Sequence, residues 1–379
     1  MKLYFILIVF FLLIIFGCSG SKRDDSVTTI MLNNREITVA FLNKLKSDTT
    51  TIPISSLVEG FELVQLEYTE EALFRPDRTM VTNNYIGIIQ DENFRDSYKL
   101  FSRSGKFLCN VGSVGPGPGE YFIINDAIID EQNELIYLAP LIGSDKILMY
   151  NTSDIFLRNI EIPQRIISPI IFLSDNILTI VYIPLTEDKS MVMQINIHTE
   201  QVLNEFTTQI PQTDRRRFRT SQNMKNYFDI NHGSSDTIHH FDILSSSIKP
   251  IFITSDNFSE EVIKHHVQLN KDLILNIIPK RGLVATDIKN KKSSWVKVKN
   301  DYFGNLDTQI SVLSFNNGYY VYNIQPEQLI EEIEQRLTES TCSEKDRQML
   351  LQTLTTLKED KNNVVFIGKL KHEIEKNLF

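Results

Sequence analysis

Arg215, Arg216, Arg217 and Arg219 crowd four guanidinium groups into five residues of an otherwise acidic chain. Such groups can hold a carboxylate, sulfate or phosphate through paired hydrogen bonds. They follow Pro211, which places them on a loop and makes them a candidate patch for an anionic ligand such as an acidic glycan. The competing reading is a solvated loop that balances nearby acids. Adjacent histidines occur at His239-His240 and His265-His266. Neighbours on a strand point to opposite faces, so neither pair can chelate one ion. Asp130-Glu131-Gln132-Asn133-Glu134 lacks the bend glycine and ligand spacing of a calcium loop and reads as a hairpin turn. Gly112, Gly115, Gly117, Pro118, Gly119, Glu120 and Tyr121 mark a Gly-Pro loop. It lacks the Gly-Lys-Ser/Thr ending of a phosphate loop, and its prolines remove amide donors. It reads as a stiff turn, with a ligand funnel as the alternative. No Gly-x-Ser-x-Gly elbow occurs, and no cysteine has an evident histidine partner. No catalytic residue, metal ligand or cofactor is assigned. A divalent ion held by scattered carboxylates stays open, because such ligands leave no motif.

The N-terminus carries a different signal. Lys2 precedes an unbroken apolar run, Leu3 to Phe16, that is too short to span a bilayer. It fits a secretory signal peptide over residues 1–17. Gly17-Cys18-Ser19 then resembles the bacterial lipobox, in which the cysteine is lipidated and becomes the new N-terminus. Several acyl chains make a durable membrane anchor. Ser19, where inner-membrane retention favours Asp, points to an outer-membrane lipoprotein that faces the periplasm or the exterior. Lys22-Arg23-Asp24-Asp25 reads as the start of a solvated tether over 18–50, or as a surface-export tag. Lys plus Arg total 39 against 48 Asp plus Glu, a net charge of -9, which disfavours nucleic-acid binding. Cys109 and Cys342 read as free thiols.

These candidates sit in a repeating body. Tyr98 to Val111 and Ile147 to Ile160 align without a gap, each as a strand, a polar turn and a strand. Further copies start at Gln194, Ile238 and Val284, with anchors at Phe101, Tyr150, Ile197, Phe241 and Ile288. Short apolar runs before each copy give about four strands per unit of roughly 45 residues, the signature of a propeller blade. A sixth unit begins at Ile310 to Phe315, turns at Asn316-Asn317-Gly318 and continues through Tyr319 to Ile324. Helical spacing then takes over, opened by Pro326, with a capping box at Ser343 and Asp346. The expectation is an all-β, six-bladed β-propeller over 51–379 with a helical hairpin, 326–361, inserted in the last blade. Phe61 to Glu67 is expected to pair with the C-terminal strand and close the ring.

Val111-Gly112-Ser113-Val114-Gly115-Pro116-Gly117-Pro118-Gly119-Glu120-Tyr121 resembles the Gly-x-x-Gly-x-Gly-Pro-Gly-Glu-Tyr motif of six-bladed β-propeller lipoproteins of Bacteroidota, relatives of NHL-type propellers. The likeness covers roughly residues 50 to 372. It implies a cell-envelope protein and no settled activity. Binding of a ligand or an envelope partner protein is expected, in support of nutrient uptake. The alternative is a metal-dependent hydrolase or lyase with three or four carboxylate or amide side chains converging at the axis. A scaffold role would leave an exposed apolar stripe on the helices.

Overall fold

The computed structural model describes residues 25–379 apart from 33, 94, 185–190, 208–217, 225, 233–234, 258–261, 358–361, 374–377 and 379. Strands dominate. The N-terminal part carries β1 (Val27–Leu32), β2 (Arg35–Phe41), β3 (Thr49–Pro53) and β4 (Val58–Gln65). The first sheet is an antiparallel meander of β5 (Pro76–Val81), β6 (Tyr85–Gln90), β7 (Tyr98–Ser102) and β8 (Phe107–Val111). A short parallel pair, β9 (Ser113–Val114) and β10 (Glu120–Tyr121), follows. The second sheet runs in sequence order through β11 (Ile124–Asp130), β12 (Leu135–Pro140), β13 (Ile142–Asn151), β14 (Phe156–Ser174), β15 (Ile177–Pro184), β16 (Met191–Asn196) and β17 (Val202–Thr207). The third is β18 (Phe218–Met224), β19 (Tyr227–His232), β20 (Thr237–Asp242) and β21 (Ser247–Ser255), extended by β2 and β1. The fourth holds β22 (His265–Asn270), β23 (Leu273–Ile278), β24 (Gly282–Asp287) and β25 (Lys292–Asn300), with β26 (Leu306–Asp307) and β3 added along β25. The fifth is β27 (Phe315–Asn316), β28 (Tyr319–Ile324), β29 (Val364–Leu370) and, last, β4.

The arrangement is all-β and propeller-like, but the six separate blades expected from the repeat are not what the sheets display. Four sheets each hold one four-stranded set, three as meanders and one as β27–β29 completed by β4, and stand as four blades. The other sheet is continuous over seven strands, because β14 is 19 residues long and pairs with β13 along its first part and β15 along its second. It bends at Ser168, whose φ is 50°, beside Pro169, where its pairing with β15 shifts register. No polar linker separates the two halves, so the ladder passes through the bend.

The repeat has a physical cause that sharpens its alignment. In all but the closing sheet, the third strand of each meander ends at an oxygen-bearing residue: Ser102, Asn151, Asn196, Asp242 and Asp287. Each of these side chains accepts a backbone N–H two to four residues on, from Lys106, Ser153, His198, Leu244 and Asn290 respectively. Such turns are where short oxygen-bearing side chains outcompete the ladder. Aligned on these residues, the anchors become Phe101, Tyr150, Ile195, Phe241 and Thr286, all buried. Ile197 and Ile288 therefore sit two residues beyond the true register.

Three further expectations are settled by the chain path. β4 does pair antiparallel with β29, from Val58↔Leu370 to Gln65↔Val364. Residues 27–50, read as part of a tether, instead carry β1, β2 and the start of β3. There β2 runs parallel to β21 and β3 parallel to β25, covering sheet edges that would otherwise be open. The strand expected from Ile310 shrinks to Phe315–Asn316, because Ser311 and Ser314 hydrogen-bond each other in a turn.

Two helices, α1 (Pro326–Thr338) and α2 (Glu344–Thr356), lie between β28 and β29. Leu329, Ile333 and Leu350 are fully buried in one core with Phe303, Phe315 and Phe366. Arg336 is buried too: its Nε donates to the Gly304 carbonyl at 2.8 Å and its Nη1 to Glu339 at 2.7 Å. Of the apolar residues along α2, Leu351 stays exposed, at 49%. The exposed stripe required of a scaffold is thus packed on the propeller instead.

Candidate functional site: a pocket where the inner strands converge

The first strands of the meanders meet around a cavity of about 850 Å³. β5 contributes Arg78 and Met80, β11 Asp126 to Asp130, β14 Ile170 to Leu173, and β18 Thr220, Gln222 and Asn223. Leu269 to Lys271, Asn316 to Tyr319 and Lys369 to His372 complete the wall. Its size is that of pockets that enclose small ligands.

A buried ion pair sets one side of it. Arg78 Nη1 meets Asp126 Oδ1 at 2.9 Å, with side-chain exposures of 17% and 5%. Arg78 Nη2 also donates to the Asn125 carbonyl, and Asp126 Oδ2 accepts the Ile171 N–H, both at 2.9 Å. Burial pushes the Asp126 carboxyl above its ordinary range, although Arg78 and the amides of Ile171 and Ala127 favour the carboxylate. The pair ties β5, β11 and β14 together. A second buried carboxylate works alike: Asp229 Oδ1 faces His240 Nε2 at 2.7 Å while its Oδ2 accepts the Gln268 N–H at 3.1 Å. Burial holds His239 and His266 below the ordinary imidazole range.

Across the pocket, the 316–318 turn reaches both neighbours. Gln222 N–H donates to Asn316 Oδ1 and Gly318 N–H to Asn223 Oδ1, each at 3.4 Å. Tyr319 OH donates to Asn83 Oδ1 at 3.0 Å. Burial raises the Tyr319 hydroxyl above its usual value.

The residues singled out from sequence are dispersed. Cys18 and Arg215, Arg216 and Arg217 lie outside the described residues, and Arg219 lies on β18, paired with Asn231. The Gly-Pro loop lies between β8 and β11 and contributes nothing to the wall of this cavity. It is a clamp between the first and second sheets. Glu120 turns its carboxylate back on the loop, accepting the Gly117 N–H at 2.8 Å and the Ser113 hydroxyl at 3.3 Å. Gly115 and Gly117 lie against that carboxylate. Gly112 N–H donates to Asp154 at 2.6 Å. Tyr121 is buried; its hydroxyl donates to the Val111 carbonyl and accepts the Tyr98 N–H at 2.7 Å. Tyr150 OH reaches the Gly119 carbonyl. Gly119 has φ 76°, and a Cβ there would strike the Phe156 ring at 2.8 Å. Pro118 fills the exposed turn between these contacts.

Sequence reading missed Arg78, Asp126, Lys271, Lys369 and Lys371. Only Asp126 carried a signal, as a carboxylate inside the apolar run Ile123 to Ile129. Arg78 and the lysines look like ordinary strand and turn charges until the ring brings them together. Among the described residues, no group of three or more His, Cys, Asp or Glu side chains is placed to hold a metal ion. Asp126, the carboxylate deepest in the wall, is engaged by Arg78. No helix among the described residues is long and apolar enough to cross a membrane.

Fold and pocket together define a propeller-like all-β protein with a central cavity. A crystal structure of an exported protein from Bacteroides fragilis superposes with a TM-score of 0.60 at 15% identity, covering 88% of this chain and 100% of that one. A member of the DUF4221 family from Bacteroides vulgatus gives a TM-score of 0.48 at 11% identity over 84% and 98% of the chains. The first likeness shows the fold. No curated protein matches the chain. The family described as "Domain of unknown function (DUF4934)" matches residues 36–253, and the chain belongs to it.

Proposed function

We propose that this protein is an outer-membrane lipoprotein, anchored through Cys18, whose six-bladed, NHL-type propeller binds a ligand in its central pocket and assists nutrient uptake. The observation that carries the reading is the pocket itself: a cavity of about 850 Å³ with a mixed polar and apolar wall, built on rigid strands. The six-blade count is supported by the two meanders that share β14, which together with the four separate blades make six. Export of the Bacteroides fragilis protein agrees with an envelope location. Arg215, Arg216, Arg217 and Arg219 lead into or begin β18, a wall strand, and form a second candidate for an anionic glycan. The metal-dependent hydrolase or lyase finds no comparable support.

Two experiments test the reading. Cells fed radiolabelled palmitate are expected to label the protein, and Cys18→Ala is expected to abolish both labelling and membrane retention. A Cys18→Ala protein that stays membrane-bound would refute the anchor. Thermal-shift screening of the full chain against neutral and acidic oligosaccharides and peptides is expected to yield a stabilising class. Thr220→Trp, which projects an indole ring into the pocket, is expected to weaken that shift; an unchanged shift would place binding elsewhere.

A further inference from the structure

The pocket's charges are not equally free. On the second sheet, Asp130 is spent on its own turn, accepting the Asn133 N–H at 3.2 Å and the Asn133 side-chain amide at 2.8 Å. Glu131 accepts the Asn84 N–H at 2.5 Å and the Asn83 side-chain amide at 3.3 Å. Asp126 is held by Arg78. The wall contributed by the fourth and fifth sheets is different. Lys271 and Lys369 are exposed there, and Lys371 and His372 lie beside them. Asn270 fixes the two segments to each other, donating its side-chain amide to the Lys371 carbonyl at 3.2 Å. Lys271 touches Glu373 at 3.1 Å, but both are largely exposed, at 61% and 72%. An ion pair so open to water is worth little and exchanges readily for a ligand. Lys369 makes no ion pair among the described residues; its cross-strand neighbour on β4 is Glu59.

We infer that Lys271 and Lys369 form the anion-selecting side of the pocket, and that its ligand is a carboxylated oligosaccharide. The inference rests on the pocket being the binding site proposed above. Among the residues lining the pocket, Arg78, Lys271, Lys369 and Lys371 outnumber Asp126, Asp130 and Glu131 by one charge, and Lys271 and Lys369 are exposed, so the pocket offers net attraction to an anion. Thr220, Gln222, Asn316, Asn317 and Tyr319 line the same pocket. Hydroxyl and amide groups of this kind suit a hydroxyl-rich ring better than an apolar ligand.

The test is calorimetric titration of the full chain in detergent with tetragalacturonate, neutral tetragalactose and tetraglutamate. Tetragalacturonate is expected to bind at least about tenfold more tightly than tetragalactose, with the margin shrinking at high salt as surface charges are screened. Lys271→Ala with Lys369→Ala is expected to remove that margin without changing the melting temperature, since both side chains are exposed. Equal binding of the two saccharides would overturn the charge selection while leaving the pocket as a binding site. Tighter binding of tetraglutamate would overturn the saccharide assignment. Loss of tetragalacturonate binding on alanine replacement of Arg215 to Arg217, with the lysine variant unaffected, would move the anion site to the arginines. Failure of all three ligands would refute this inference, while a shift by another class, weakened by Thr220→Trp, would still uphold the pocket.

Discussion

Gly105 shows how much a single residue can carry. Its φ of 88° is in the left-handed region, and a Cβ added there would lie 2.6 Å from the Gln65 carbonyl oxygen. Its own carbonyl accepts the Glu67 N–H at 2.8 Å, so the turn of the first sheet is joined to the chain that follows β4. Gly105→Ala is therefore expected to cost about 1–3 kcal/mol, from backbone strain and the clash. Thermal unfolding checks it, and an unchanged midpoint would mean that the contact is not made. The Arg78–Asp126 pair predicts more. Asp126→Ala strands a guanidinium that is mostly buried, and breaking such a pair costs about 3–5 kcal/mol. Replacing both partners with apolar residues, Arg78→Met with Asp126→Leu, is expected to recover only the part due to the stranded charge, because the buried Ile171 N–H still loses its acceptor. A double variant as unstable as the single one would show that geometry matters here more than stranded charge. Burial, with Asp154 nearby, pushes the Cys109 thiol up to about 11. At pH 8 it is therefore almost wholly protonated. Iodoacetamide is expected to label it far more slowly in the folded protein than in urea, because the thiolate is the nucleophile. Equal labelling rates, read by mass spectrometry, would contradict the half-buried position.

Among the elements, α2 offers the sharpest test. Ser343 Oγ accepts the Asp346 N–H at 3.1 Å and donates to Asp346 Oδ2 at 2.8 Å. Burial would raise the Asp346 carboxyl, but Ser343, Asn305 and Arg336 together hold it below the ordinary range. A depressed carboxylate contributes stability that is present above its unfolded value and lost as the pH falls through its folded value. Ser343→Ala is expected to cost about 1 kcal/mol at pH 7. The gap to the parent should narrow as the pH drops below the ordinary carboxylate range. A gap that stays constant to pH 3 would rule out the coupling. This box was legible from sequence because capping is a local arrangement. The hairpin turns were legible for the same reason, since Asn151 or Asp242 satisfies amides within four residues of itself. The two-residue slip at Ile197 and Ile288 arose from aligning apolar anchors, whereas the turn oxygens set the register. β2 and β3 were not legible. Their partners, β21 and β25, lie more than two hundred residues away, and nothing near them in sequence announces a parallel edge. The pocket was hidden in the same way, because its wall is gathered from every sheet.

For the whole molecule, the seam between the ends is the critical joint. Beyond the β4–β29 ladder, Arg103 grips Glu62 with two hydrogen bonds of 3.0 Å and donates to the Thr82 carbonyl at 2.7 Å. Asn362 donates its side-chain amide to the Ala72 carbonyl at 2.7 Å. A chain ending before Val364 would leave β4 and β28 with bare edges, and such edges recruit other chains. It is expected to elute as aggregates in size-exclusion chromatography, whereas loss of residues after Leu370 should leave a monodisperse protein. A monodisperse truncation would mean that the ring tolerates an open seam. The seam also imposes an order on biosynthesis. β4 is made long before β29, so every sheet between them must leave the ribosome, and on the proposed route cross the inner membrane, before β4 meets its partner. Contacts so distant in sequence are slow to form. The nascent polypeptide must therefore remain an incomplete arc until β29 emerges, and that one strand decides when it becomes a ring.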